Sequence, residues 1–577
     1  MRVTSTKTKN SESFYITQSY KNNKGHSTSK VVRKLGTLSD LLQKLNFETR
    51  DQVVMWANEQ ARIETEKYKN TEEEKNITIT FHADREMEYD RQRHFVGGYL
   101  FLQSIYYQLQ LDKTCRKIKS RHSYEYDLNA ILSDLIYARI LAPNSKLSSF
   151  ESVKNFLEPP SYETYDIYRA LDVLADECDF IQAEVYKNSN FILNRKDNIL
   201  YYDCTNYYFE IQEEDELRKY GKSKEHRPNP IVQMGLFTDG DGIPLAFSLF
   251  PGNMNEQKSL KPLETKVIQD FGCQKFIYCS DAGLGSESIR EFNNVGERAF
   301  IVTQSLKKLN QEDREWALRH SEFRRLSDDE PVDIDNLSDE DKNQILYKIN
   351  PYTPKKIHQN LIVTYSPKYA AYQKKVREKQ VERAKAMIKD SKYKKQRKNP
   401  NDPGRFIERV DVTNDGEVAS KKICTLNQDK IDEEAMYDGF YAICTDLLDD
   451  HPRDLIKITE SRWQIEACFR IMKTDFSARP VYVRKENSIK SHFLICFLAL
   501  LVYRLLEKKL ENKYTCETIL AKLKEYNFVD IEEQGFIPIY KRDKLTDDLH
   551  DIFPFRTDKQ FITKRKMREI KKLSKNR

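Results

Sequence analysis

The stretch from residue 196 to residue 304 limits the fold more than any other part of the chain. It begins with KDNILYYDCTNYYFEI, a β-branched and aromatic run, and continues with PIVQMGLFTDG and IPLAFSLFPGN. Runs of this composition suit pleated, half-buried strands. Between the second and third stands Asp239-Gly240-Asp241-Gly242, which has hairpin-turn chemistry because glycine tolerates positive φ. Asp239 and Asp241 are read as turn formers and not as ligands. Three antiparallel strands are therefore predicted, followed by a helix over 256–270, the strand KFIYCSDA, the helix SESIREFNN and the strand RAFIVT.

A β-β-β-α-β-α-β order is that of a ribonuclease-H-like core. The predicted class is α/β, a ribonuclease-H-like mixed-sheet core interrupted by a β-rich insertion, with an N-terminal β-hairpin and helical domain and a helical C-terminal region. Residues 1–38 carry SFYITQSY and KVVRKLG, the pattern of a basic β-hairpin. Residues 39–195 repeat apolar positions every three or four, as in NAILSDLIYARIL, and are expected to be a helical domain. The core occupies 196–304 and resumes over 437–510, where GFYAICTD predicts a strand and DLIKITESRWQIEACFRIMK a helix. The insertion, 305–436, holds KIHQNLIVTYS, ERVDVT and EVASKKICTL as short strands and a strongly basic helix over 368–398. Residues 511–577 form a C-terminal region that ends in the basic tail TKRKMREIKKLSKNR.

Composition excludes some classes. The net charge of +6 is small beside 96 Lys+Arg and 90 Asp+Glu, so an anionic partner must be argued from local clusters. The ten cysteines form no Cys-x-x-Cys pair and the N-terminus lacks an apolar secretory segment, which predicts reduced thiols in a cytoplasm. The apolar run FLICFLALLVY ends at Arg504, too short to cross a bilayer, and reads as a buried helix, so no membrane partner is expected. Zinc-ligand spacing, a phosphate-cradling loop and a Ser/His/Asp arrangement do not stand out, and no nucleotide cofactor is expected.

Three acids ask for an explanation. Asp203 lies within the first core strand among Tyr201, Tyr202, Tyr207 and Phe209, where a carboxylate is costly unless it is paired or binds a metal. Asp281 ends the apolar strand FIYCSD just before the turn AGLGS, so its carboxylate points to the crevice outside the strand ends. Glu466 belongs to a helix on which steps of about 100° place Arg462, Glu466, Arg470 and Lys473 in one stripe, with Ile465, Cys468, Phe469 and Met472 alongside. Convergent carboxylates on rigid elements are what two metal ions need for phosphodiester chemistry. Between the first two strands, GKSKEHRPNP gathers Lys222, Lys224, His226 and Arg227 on the expected side of that site, as a candidate phosphate contact.

At these residues the chain resembles the DDE transposases of bacterial insertion sequences, in the class whose core is interrupted by a β-rich insertion. The markers are YYDCTNYYFE, GKSKEHRPNPIVQMGLFTDGDGIPLAFSLFPGN, CSDAGLGS and RWQIEACFRIMKTDFSARPVYVRKENSIKSHFLICFLALL. The family signature of Tyr, two residues, Arg, three residues, Glu, six residues, Lys is matched at Arg462, Glu466 and Lys473, with Thr459 in place of the tyrosine. The resemblance implies that Asp203, Asp281 and Glu466 hold two Mg²⁺ (or Mn²⁺) ions, that Arg462 and Lys473 position a DNA terminus through its phosphates, and that Trp463 stacks on a flipped base. It also implies double-stranded DNA partners (inverted repeats and target), DNA-end binding by the helical domain 39–195, a homodimer on paired ends, and a nucleoid-associated place in a bacterial cytoplasm. Two other readings are kept: a ribonuclease-H-like nuclease or resolvase, and a catalytically silent DNA-binding derivative.

Overall fold

A computed structural model describes all residues except 9–10, 22–26, 74–78, 80, 82, 85, 390–400, 413–420, 533 and 577, and describes backbone only at 20–21, 27, 69–73, 409–412 and 421–423. The chain divides into two compact units, 1–91 and 92–577. In the first, β1 (Arg2–Lys7), β2 (Glu12–Lys21) and β3 (Ser27–Thr37) form an antiparallel sheet in that order, with helices α1 (Leu38–Leu45) and α2 (Arg50–Glu73). Phe14, Leu41 and Val53 are its small core. The sequence predicts a hairpin here, and the sheet has three strands. β1 is RVTSTK, too polar for its alternation to stand out.

The second unit opens with β4 (His94–Val96) and the helices α3 (Tyr99–Gln108), α4 (Leu111–Lys119), α5 (Leu128–Leu141), α6 (Lys146–Val153), α7 (Thr164–Asp176) and α8 (Cys178–Ser189). Then come β5 (Ile199–Tyr208), β6 (Ile231–Asp239), β7 (Pro244–Pro251), α9 (Glu256–Asp270), β8 (Ile277–Ser280), α10 (Glu287–Asn293) and β9 (Ala299–Thr303), the predicted elements in the predicted order. Next are α11 (Gln311–Leu318), β10 (Arg324–Arg325), β11 (Leu346–Tyr352), β12 (Gln359–Tyr365), α12 (Pro367–Lys389), β13 (Ile407–Val412), β14 (Lys421–Leu426), α13 (Gln428–Ala435) and β15 (Phe440–Thr445). The basic helix is thus described as far as Lys389, and the rest of its expected span lies outside the described residues.

A nine-stranded mixed sheet in the order β10-β11-β12-β15-β9-β8-β5-β6-β7 is the frame of this unit. β5 pairs parallel to β8 and β8 parallel to β9, and every other pairing is antiparallel. Strands β10 to β12, from the stretch expected as an insertion, extend this sheet through β12 and β15. β12 (QNLIVTY) is buried on both faces at Leu361, Ile362 and Val363, so it needs cover on both sides, and the large sheet supplies it. The hairpin β13-β14 pairs apart from that sheet, and Phe406 and Ile407 share a small cluster with Ala384 of α12.

Helices α14 (Pro452–Glu460), α15 (Trp463–Lys473) and α16 (Glu486–Lys509) follow β15. Phe493 to Tyr503 of α16 are at most 1% exposed, and the helix packs against α5 and α7. Fully burying a Leu or Phe side chain contributes roughly 1.5–3 kcal/mol, so this helix is the main organiser of the hydrophobic core. At 24 residues it is long and apolar enough to cross a membrane, and 94% of its most apolar window is buried inside the fold. The C-terminal region, expected to be helical, holds α17 (Cys516–Glu525), α18 (Lys544–Ile552) and α19 (Lys564–Leu573), and also β16 (Asn527–Ile531), β17 (Gly535–Pro538) and β18 (Ile562–Thr563). These strands join β4 in a sheet ordered β18-β17-β16-β4. None of them exceeds five residues, too short for a periodicity to register.

Candidate active site

The site is built on β5 and β8. In their parallel register Tyr201 lies opposite Cys279, and two residues further along each chain stand Asp203 and Asp281. Side chains alternate along strands, so Asp203 shares the face of Tyr201, while Asp281 is the first residue after β8 and its charge acts on Asp203 from the turn. That face is covered by α14 and α15. The Tyr201 hydroxyl donates to the Ile458 carbonyl (2.9 Å), and Lys473 Nζ donates to Thr205 Oγ1 (2.6 Å). Asp203 therefore sits on the strand between a contact with α14 and a contact with α15.

Asp203 is half-buried, and its Oδ1 accepts the Cys204 N–H at 2.7 Å. Burial pushes its pKa up to about 6; Lys224, the Cys204 N–H and Arg462 pull it down, and the like charge of Asp281 pushes it up again. Asp281 Oδ1 accepts the N–H groups of Gly283 (3.0 Å) and Leu284 (3.2 Å), which closes the turn after β8 and fixes that carboxylate. All the oxygens facing this site are hard donors, and the burial and like-charge penalties on Asp203 are what a divalent cation would relieve.

Glu466 comes from α15. The sequence predicts one helix over 454–473, whereas the structure has two, α14 and α15, joined at Ser461 and Arg462. The amides of Arg462, Gln464 and Ile465 bond to the carbonyls of Thr459, Ser461 and Arg462, each at 3.2 Å, so the chain tightens to i→i−3 bonding. Two hydroxyls explain it: Thr459 Oγ1 donates to the Leu455 carbonyl and Ser461 Oγ to the Lys457 carbonyl, each at 3.0 Å, and such back-bonding bends helices. Ile465, Cys468, Phe469 and Met472 are buried as the apolar stripe. Glu466 faces outward at 63% side-chain exposure, 3.7 Å from Arg462 one turn earlier.

Arg462 ties the elements together. Its Nη1 donates to Thr303 Oγ1 of β9 (3.3 Å), and Thr303 meets the Tyr441 hydroxyl of β15 at 2.5 Å. Lys224 reaches in from the β5–β6 loop, donating to the Cys204 carbonyl and lying 3.3 Å from Glu256. Lys473 is 3.5 Å from Glu225, which also pairs with Arg479. Burial lowers the Lys473 pKa, and Glu225 partly restores it. Trp463 is 61% exposed. His226 and Arg227 are exposed on the same loop, with Arg227 over the Tyr208 ring (5.0 Å). Thr205, Thr303, Glu225, Arg479 and Tyr441 escape sequence reasoning; of these only Glu225 carried a signal, as the acid inside the basic loop.

The three carboxylates do not close into one cage: among the described residues the group whose ligand atoms all lie within 4.8 Å is Asp547, His550 and Asp558. There the Thr557 N–H donates to His550 Nε2, so the neutral ring carries its proton on Nδ1, the nitrogen that a metal would need. Asp239 proves more than a turn former. Its Oδ1 accepts the N–H groups of Asp241 (3.0 Å) and Ile243 (2.9 Å), and its Oδ2 meets Arg195 in a fully buried pair. Thr459 is buried and lines a cleft with Tyr369 and Tyr441.

A family model described as a transposase DDE domain matches residues 208–502. Asp281 and Glu466 lie inside that span and Asp203 just ahead of it. A cryo-EM structure of a piggyBac transposase synaptic complex with hairpin DNA is similar over 81% of this chain and 86% of that chain, at 10% identity and a TM-score of 0.35, a likeness too slight to build on. No curated protein matches the sequence.

Proposed function

The chain belongs to the transposase DDE-domain family, and from that premise we propose that it cuts DNA at the inverted repeats of an insertion sequence and joins the freed 3′ ends to target DNA. The observation that carries this reading is that Asp203 on β5 and Asp281, just after the neighbouring parallel strand β8, act on each other electrostatically, under the α14–α15 segment that carries Arg462, Glu466 and Lys473. The line β7-β6-β5-β8-β9, with β5, β8 and β9 parallel, supports a ribonuclease-H-like core.

Asp203 and Asp281 would hold two Mg²⁺ or Mn²⁺ ions, with Glu466 as the third carboxylate. The ions would supply charge stabilisation to the attacking and leaving oxygens. Asp203 must be ionised to serve, and Lys224 and Arg462 favour that state. Arg462, held on Thr303, and Lys473, held on Thr205 and Glu225, present cations along one helix face, where they fix the register of a DNA backbone without reading bases. Lys224, His226 and Arg227 extend that surface along the loop, and exposed Trp463 is placed to stack on an unpaired base. End recognition falls to residues upstream of the sheet, and paired ends call for a homodimer.

Strand transfer separates this reading from a nuclease. With Mg²⁺ and a pre-cut end bearing a 3′ hydroxyl, the protein should join that end to a plasmid. Cleavage without joining, at any metal concentration, would favour the nuclease instead.

A further inference from the structure

A cleft of about 250 Å³ opens where the starts of α6 and α16 meet α7. Lys146, the first residue of α6, lines it and is 4% exposed. Among the described residues it makes neither a hydrogen bond nor an ion pair. The charged neighbour that acts on it most is another cation, Arg139, whose Nη1 and Nη2 donate to the carbonyls of Phe476 (3.1 Å), Ser477 (3.3 Å) and Asn144 (2.9 Å). His492 is a third buried base in this neighbourhood, with its Nε2 on the Ala478 carbonyl at 3.0 Å. Burial and Arg139 bring the Lys146 pKa down to about 7. A buried ammonium without a counter-ion is costly, and the fold offers it no carboxylate. Asp172, the acid that lines the cleft, is exposed on α7.

The opposite wall is the start of α16. Its N-cap, Lys485, makes no side-chain capping bond, so the first-turn amides of this 24-residue helix lack the usual acceptor. Ser488 in that turn is 8% exposed and without a hydrogen-bond partner among the described residues. An uncapped helix start favours an anion through both its amides and its dipole. Arg484 and Lys485 stand exposed at the mouth, with Tyr168 and Tyr482 beside them at 47% and 63% exposure. The segment that brings them there begins at Lys473.

We propose that this cleft is a second phosphate site, separate from the carboxylates, which takes one backbone phosphate of bound DNA on Lys146, Ser488 and the first-turn amides of α16, with Arg484 and Lys485 at its mouth. The proposal rests on the DNA-joining reading and adds to it a grip on the duplex built from residues other than Arg462, Glu466 and Lys473. A compact phosphate surrounded by a buried ammonium, a hydroxyl and helix amides gives partners to Lys146, Ser488 and the first-turn amides of α16, and the tyrosines flank the sugar-phosphate chain as it enters.

The test uses the full chain and a labelled mixed-sequence duplex, with binding measured across a salt series. Lys146→Met keeps the stem and removes the charge; it should weaken binding several-fold and lower the slope of log Kd against log salt by about 0.9, the value of one phosphate. Should Lys146→Met fail to fold, Arg484→Gln with Lys485→Gln, both at exposed positions, should lower the slope in the same direction. Inorganic phosphate, followed by ³¹P line broadening, is the second probe. If both variants bind duplex with the parent's slope while the parent cleaves DNA, the cleft is no DNA contact and the transposase reading stands. If Lys146→Met loses only inorganic phosphate, the cleft serves a small anion and the proposal falls. If the parent itself binds no duplex, the transposase reading fails and takes the proposal with it.

Discussion

Arg195 and Asp239 meet with Nε 2.5 Å from Oδ2, and neither side chain reaches solvent. Arg195 also donates to Ser189 Oγ (2.9 Å) and to the carbonyls of Ile243 (3.0 Å) and Pro244 (3.1 Å). The pair thus locks the end of α8 to the β6–β7 turn, where Asp239 lies opposite Leu200 at the start of β5. Breaking a buried pair from one side leaves an uncompensated charge. Arg195→Met is expected to destabilise the second unit by about 3–5 kcal/mol in urea unfolding. A loss under about 1 kcal/mol would mean that the pair carries no structural weight.

Asp203 should cost stability and supply function. Burial pushes its carboxyl up to about 6 from the ordinary 3.8, because it disfavours the charge. Between those values the folded state holds a proton that the unfolded state has lost, so this group's contribution falls as pH rises through that window and stays low above it. In chelator at pH 7, Asp203→Asn is expected to be more stable than the parent by on the order of 1–3 kcal/mol, and the gain should vanish near pH 4. Added Mg²⁺ should stabilise the parent above pH 6 and leave the variant unchanged. Equal stability of the two proteins at pH 7 would count against a strained carboxylate.

Lys473 is half-buried between Thr205 and Glu225. Lys473→Met is expected to lower the salt slope of DNA binding by about 0.9 and to cost about 1 kcal/mol of folding stability through the lost bond to Thr205. An unchanged slope would remove Lys473 from the DNA surface.

Trp463 is exposed at the first residue of α15. Trp463→Ala should change stability by less than about 0.5 kcal/mol, as surface substitutions do. With Trp56 and Trp316 replaced by Phe, single-stranded ends should quench Trp463 emission more than blunt duplex. Equal quenching would leave the ring without a base to stack on.

Much of this was legible because the physics is local. An acid inside an apolar strand is conspicuous, as Asp203 is, and so is one that ends an apolar run at a glycine turn, as Asp281 does. The parallel pairing of β5 with β8 then brings the two segments together. The stripe of Arg462, Glu466 and Lys473 follows from helical periodicity alone. What escaped is non-local or depends on hydroxyls. The break between α14 and α15 comes from Thr459 and Ser461 bonding back to carbonyls, which composition does not reveal. The pairing of β12 with β15 joins distant segments, and Asp239 shows its buried role only once Arg195 is brought to it. The Lys146 cleft is assembled from α6, α7 and α16, which are distant in sequence.

The central claim is that Asp203, Asp281 and Glu466 act as one metal-holding set. The most direct measurement is Mg²⁺-dependent cleavage and strand transfer on DNA carrying the element's own ends, with the parent compared against Asp203→Asn, Asp281→Asn and Glu466→Gln. Each change is predicted to abolish both steps while binding to the ends persists; cleavage that survives in any one of the three would contradict the assignment of that carboxylate to the site.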